Sequence, residues 1–213
     1  MKNLIIIGAR GFGREVYNLA TECDGYGSDF SVKGFLDDKS DALNGYKGYP
    51  GILGAVESYE IQDNDIFICA LGDPKWKKHY VQLIRDRGGE FITLVHPTAY
   101  IARNTQIGKG CIICRNAFVS CDIQIGDFVS IQPFSDLGHD AQVGDYCHLN
   151  TYSFLGGYAQ LGELVTMHTG SKLLPHKKIC SDVIVGAGSV VIKNIKEEGI
   201  TVFGIPAKKL STI

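Results

Sequence analysis

The chain has 213 residues, 45% hydrophobic and 21% charged, which is enough to bury a core and too apolar for a disordered segment. A formal net charge of -2, with no Lys/Arg block longer than a pair, leaves no basic field to hold a nucleic-acid backbone. No apolar run nears the roughly 18 residues that span a bilayer, and the segment from Met1 to Gly8 lacks a cleavage signal, so a cytoplasmic chain without nucleic-acid or membrane partners is expected. Seven cysteines, an odd number, argue for free thiols in a reducing compartment and against a disulfide framework.

Residues 1–94 alternate strand and helix patterns. Leu4 to Ile7 reads as a first strand, Gly8-Ala9-Arg10-Gly11-Phe12-Gly13 as a tight turn, and Val16, Leu19 and Ala20 as one face of a helix. The glycines fall as G-x-x-G-x-G and depart from the dinucleotide fingerprint G-x-G-x-x-G, which weakens a nicotinamide or flavin reading. A phosphate-bearing ligand still suits a helix amino terminus with exposed N–H groups. Val32 to Leu36 reads as a second strand ending at Asp37-Asp38. Ile66 to Leu71 reads as a third, ending at Gly72-Asp73-Pro74 before a helix from about Trp76 to Arg87. Such strand ends form the ligand crevice of open parallel sheets; solvated turn residues and a tight glycine connection are the alternative account of the same residues. Phe91 to Val95 leads into the second half, and Trp76 with Tyr80 reads as a packing face.

From Val95 onward the period changes to six. Every sixth residue from Val95 through Val191 is Leu, Ile, Val or Met, the fifth position of each hexad is small or apolar except at Lys177, and the second is repeatedly glycine, as at Gly108, Gly126, Gly138, Gly144, Gly156, Gly162 and Gly186. An inward aliphatic, a small neighbour and a turn every six residues describe a triangular coil of three short strands. Residues eighteen apart then stack one above another at about 4.8 Å. This places Cys111 and Cys114 in the wall of the coil rather than in a metal site, because no second pair follows at zinc-finger spacing.

The hexads of residues 95–196 resemble the hexapeptide-repeat acyltransferases, whose fold is a left-handed parallel β-helix that assembles as a trimer. The Gly-Ala-x-Gly-x-Gly turn, the strand ends Leu36-Asp37-Asp38 and Leu71-Gly72, and the closing Gly204-Ile205-Pro206-Ala207-Lys208 narrow the likeness. Together they resemble the two-domain sugar acetyltransferases related to sialic acid O-acetyltransferase and to the N-acetyltransferases of UDP- or GDP-linked amino sugars. The resemblance implies a Rossmann-like α/β nucleotide-sugar-binding domain over 1–94, an all-β left-handed β-helix acyltransferase domain over 95–196, and a carboxy-terminal tail over 197–213. It implies acetyl-CoA as co-substrate, a nucleotide-linked sugar as partner and a homotrimer acting in glycan biosynthesis. Gly8, Gly11, Gly13, Asp37, Asp38 and Gly72 would contact the nucleotide-sugar.

Acetyl transfer needs a base for the acceptor's proton and a donor for the developing oxyanion. Leu137-Gly138-His139-Asp140 puts an imidazole and a carboxylate at a turn, outside the inward positions. Gly157 follows His139 by eighteen residues, one coil above, where its N–H could hold a carbonyl oxygen. The resemblance makes His139 the base, Asp140 its orienting partner and Gly157 the oxyanion donor. It adds His148 near the thioester, Ala187 in the coenzyme channel and Lys208 near phosphate; a structural His148, stacked between Ser130 and Thr166, is the alternative. His168 stands where these relatives generally have glycine. The spacings among His139, His148, His168 and His176 lack the pair five residues apart that the metal-dependent hydratases of this fold carry, so no metal is expected. N-acetylation of a nucleotide-linked amino sugar is the leading reading, with O-acetylation of a glycan precursor or non-catalytic nucleotide-sugar binding as alternatives.

Overall fold

The computed structural model describes residues 1–210, so the last three residues of the expected tail lie outside the described part. Two compact units are present, Met1–Pro97 and Thr98–Ile213.

In the first unit, β1 (Lys2–Ile7), α1 (Gly11–Glu22), β2 (Phe30–Leu36), β3 (Ile52–Gly54), β4 (Asp65–Cys69), α2 (Pro74–Asp86) and β5 (Glu90–Phe91) follow one another. The strands form a parallel sheet in the order β3-β2-β1-β4-β5, a Rossmann-like arrangement. Leu4, Ile5, Ile6, Phe67 and Ile68 are fully buried in its centre, which explains why β1 and β4 read as continuous apolar runs. Helix α2 begins at Pro74, two residues before the start the pattern gave. Asp73 accepts hydrogen bonds from the N–H groups of Lys75 and Trp76 at 2.9 and 3.1 Å, and Pro74 occupies a position where its missing N–H costs nothing. The three-residue β3 has no pattern of its own and is held by pairing with Phe35 and Leu36.

In the second unit, each inward aliphatic from Ile101 to Val191 is the second residue of a two-residue strand. Strands eighteen residues apart pair in parallel, as Phe118–Val119 does with Asp136–Leu137 and Gln124–Ile125 with Gln142–Val143. Three sheets result, the faces of a triangular prism in the left-handed parallel β-helix expected from the hexads. Twelve non-glycine residues, among them Asn104, Asp140, Tyr158 and His176, turn the corners at φ near +60°. Thr201–Phe203 adds a strand beside Ile184–Val185 and pairs back on Lys208–Lys209, so this part of the expected tail extends one face of the prism.

One corner shows what the recurrent glycines are for. Asp127 Oδ1 accepts from the N–H of Lys109 in the coil below, Asp145 Oδ1 from Asp127, and Ser181 Oγ from Glu163. A Cβ on Gly108 would lie 2.4 Å from Asp127 Oδ1, and one on Gly126 2.2 Å from Asp145 Oδ1. The glycines therefore make room for a side chain that consumes the turn's free N–H.

Candidate active site

His139 sits at the corner between the Asp136–Leu137 and Gln142–Val143 strands, with its side chain about half exposed. Its Nδ1 lies 2.8 Å from Asp140 Oδ2. A carboxylate only accepts, so Nδ1 carries the ring proton and Nε2 of the neutral imidazole presents a lone pair. Asp140 reaches back because its backbone occupies the left-handed region at φ +59°, next to the residue it orients.

Gly157 completes the group from the coil above. A Cβ there would stand 2.8 Å from His139 Nε2 and 2.9 Å from Cε1, so any larger residue would displace the imidazole. On the corner with the aspartate ladder, the corresponding N–H groups are capped from the next coil. Here the next residue up is Pro175, which offers no side-chain acceptor, and the Gly157 N–H donates to no backbone carbonyl of the described residues. The imidazole therefore lies against Gly157, whose N–H is not taken up by a backbone carbonyl of the described residues. Two further neighbours were not anticipated from sequence. Asp122, one coil below Asp140, accepts from Asn104 Nδ2 at 2.9 Å. That bond, the Cys121 thiol and the nearby His139 hold its carboxyl below the usual range, placing a negative charge under the imidazole. Tyr158 lies edge-on to His139.

The other β-helix candidates do not gather at this corner. His148 lies on a different face, in register with Ser130 and Thr166, and is only 4% exposed. Ala187 and Lys208 are both exposed; Ala187 lies on the corner column that carries Thr151 and Thr169, and Lys208 on the hairpin beside Phe203. His168 is exposed and away from His139. Among the described residues no group of three or more His, Cys, Asp or Glu is placed to hold a metal ion. Burial pushes the Cys69 thiol up to about 12 and that of Cys23 up to about 11, so neither supplies a thiolate nucleophile at neutral pH.

In the first unit a cavity of about 280 Å³ opens at the carboxyl ends of β1, β2 and β4. Gly8, Asp37, Asp38 and Gly72 line it as expected from their positions, together with Arg10, Phe12, Val56 and Tyr80. Asp37 is fixed internally: Oδ2 accepts from the Ala9 N–H and Oδ1 from the Lys39 N–H, both at 2.9 Å, so this carboxylate shapes the glycine turn. Gly11 and Gly13 are not in the cavity wall. Gly11 opens α1 with open space where a Cβ would stand, while a Cβ on Gly13 would stand 1.9 Å from the Gly8 carbonyl oxygen, so Gly13 serves the close approach of α1 to the turn. Tyr80 donates its hydroxyl to Asp38 Oδ2 at 2.6 Å, and that bond together with burial pushes the phenol up. The packing face expected of Trp76 and Tyr80 is thus an exposed Trp76 stacked on a half-buried Tyr80 that forms part of the cavity.

A Rossmann-like unit with a cavity at its strand ends, followed by a hexapeptide β-helix bearing a histidine corner, defines the class as two-domain proteins of the hexapeptide-repeat type. Residues 3–84 match the PglD N-terminal domain. The acetyltransferase domain of PglB from Neisseria gonorrhoeae FA1090 superposes with a TM-score of 0.88 at 27% identity, over 99% of this chain and 100% of that one. PerB from Caulobacter crescentus, solved with CoA and GDP-perosamine, gives 0.87 at 26% identity over 99% and 98%. A UDP-N-acetylbacillosamine N-acetyltransferase of Bacillus subtilis (strain 168) is 33% identical over 115 residues, a segment that spans 53% of this chain and about half, 51%, of that protein. The chain is thus similar over its first unit to the PglD N-terminal domain and over its whole length to these acetyltransferases.

Proposed function

We propose that the chain transfers the acetyl group of acetyl-CoA to the amine of a nucleotide-linked amino sugar, working as a homotrimer with each site at the seam between neighbouring β-helices. The observation that supports this reading is the His139 corner, where an imidazole hydrogen-bonded to Asp140 lies against Gly157, whose N–H donates to no backbone carbonyl among the described residues. The amine attacks the thioester carbonyl directly, Nε2 of His139 takes the proton released, and the Gly157 N–H stabilises the oxyanion. Collapse of the tetrahedral adduct expels the thiolate of coenzyme A, and the imidazolium returns its proton to that sulfur. Asp140 and Asp122 favour the transient imidazolium. The cavity above β1, β2 and β4 would take the nucleotide-sugar, with Arg10 and the amide-rich turn toward phosphate and Asp38 toward a hydrogen-bond donor.

Two observations bear on the finer points. The Bacillus subtilis relative is named as an N-acetyltransferase and PerB was solved with GDP-perosamine, which favours an amine over a hydroxyl acceptor. Tyr100 and Phe118, stacked at 5.0 Å, and Phe134 and Tyr152, at 5.3 Å, remain largely exposed on one chain, which supports cover by further copies. Steady-state assay with acetyl-CoA and UDP-, GDP- and dTDP-linked amino sugars tests the reading. At least one should be acetylated, and His139→Ala should lower kcat by about 10²- to 10⁴-fold. Acetylation confined to hydroxyl acceptors would favour the O-transfer reading, and absence of any turnover the non-catalytic one.

A further inference from the structure

The imidazole of His139 has one hydrogen bond, to Asp140, and a single bond at Nδ1 leaves a half-exposed ring free to swing about it. A second restraint comes from the coil above. The Tyr158 ring meets His139 edge to face, with centroids 5.2 Å apart and planes at 88°, while the Tyr158 N–H donates to the His139 carbonyl at 2.9 Å. Backbone and side chain of one residue therefore grip backbone and side chain of the other. Tyr158 in turn cannot rotate freely, because the His176 ring of the next coil lies parallel to it at 4.8 Å and 8°. Gly157 closes the remaining side, since the imidazole rests where a side chain there would be.

We infer that Tyr158 is a positioning residue: its ring, backed by His176, holds the His139 imidazole so that Nε2 stays beside the Gly157 amide. This rests on the acetyl-transfer reading above, and it assigns the effect to the ring and not to the hydroxyl. Aromatic edge-to-face contacts are weak singly, but they act here on a ring with few other restraints. Misplacement of a catalytic group by about 1 Å is enough to cost roughly 10²-fold in rate.

The turn itself supplies variants that should fold. Asparagine occupies the same left-handed corner position at Asn104 and Asn116, and phenylalanine at Phe128 and Phe134. Tyr158→Asn should lower kcat about 10- to 100-fold while KM for both substrates stays within about twofold, and Tyr158→Phe should restore wild-type turnover. Histidine-selective proton–carbon correlation spectra provide a readout independent of activity. The His139 ring signals should move in Tyr158→Asn, through loss of the tyrosine ring current, and stay in place in Tyr158→Phe. Wild-type kcat or unmoved His139 signals in a folded Tyr158→Asn would overturn the inference. So would a Tyr158→Phe enzyme as slow as Tyr158→Asn, which would assign the hydroxyl to substrate. A wild-type protein without acetyl transfer would remove the reaction, and the spectra would still decide whether Tyr158 holds the ring.

Discussion

At the scale of single residues, Gly157 offers a sharp test, because the same atom position serves the imidazole and excludes a methyl group. Gly157→Ala puts a carbon 2.8 Å from His139 Nε2, so the ring must turn away from the open amide. The expected result is a fall in kcat of about 10²-fold with a near-normal melting temperature, since backbone geometry at this corner does not demand a positive φ at Gly157. Kinetics and thermal melting on one preparation check it; unchanged turnover would separate the glycine from the chemistry. The pairing of His139 with Asp140 and the place of Gly157 were legible in the sequence because a period of eighteen fixes vertical neighbours. The burial of His148 was not, since the period says only that its side chain leaves the prism and says nothing of what covers that face. Tyr80 was missed for a similar reason: its partner Asp38 lies 42 residues away, and only the tertiary fold brings the two together.

At the scale of elements, the sheet of the first unit holds a charged cluster that governs its response to acid. Lys33, the residue skipped by the bulge in the β1–β2 register, donates to Tyr59 at 2.8 Å and to Asp65 Oδ1 at 3.0 Å. Tyr59 donates to Asp65 Oδ2 at 2.7 Å, and the Gln62 N–H donates to the same oxygen at 2.9 Å. Burial pushes the Asp65 carboxyl up, but these donors outweigh it and hold the group below its ordinary value. A depressed carboxyl contributes stability above the unfolded value, about 3.9, and loses it as pH falls through the folded one. Lys33 is held above its ordinary value chiefly by Tyr59, so its share persists below the unfolded lysine value and disappears as pH rises through the folded one. Asp65→Asn should therefore cost about 1–3 kcal/mol near neutrality, with the gap to wild type closing as pH falls toward 2. Urea melts at several pH values measure this, and a gap independent of pH would dissociate Asp65 from the acid response. No repeating pattern announced this cluster, because it joins a bulge, a loop and a strand start.

At the scale of the molecule, the hexads made the β-helix readable because an inward aliphatic every six residues leaves few other architectures. The sequence was less informative about what the corners do. Three corners of one prism share a backbone geometry and each stacks rings, yet one consumes its amides with aspartates while another sets Gly157 beside a histidine. That division of labour depends on residues eighteen apart being read together.

The central claim is that the thioester reacts between His139 Nε2 and the Gly157 N–H. A crystal structure of the protein with coenzyme A bound tests it most directly. The account predicts the coenzyme sulfur beside both groups, in a seam between two chains; a sulfur seated on another corner or face, or a coenzyme held wholly by one chain, would contradict it.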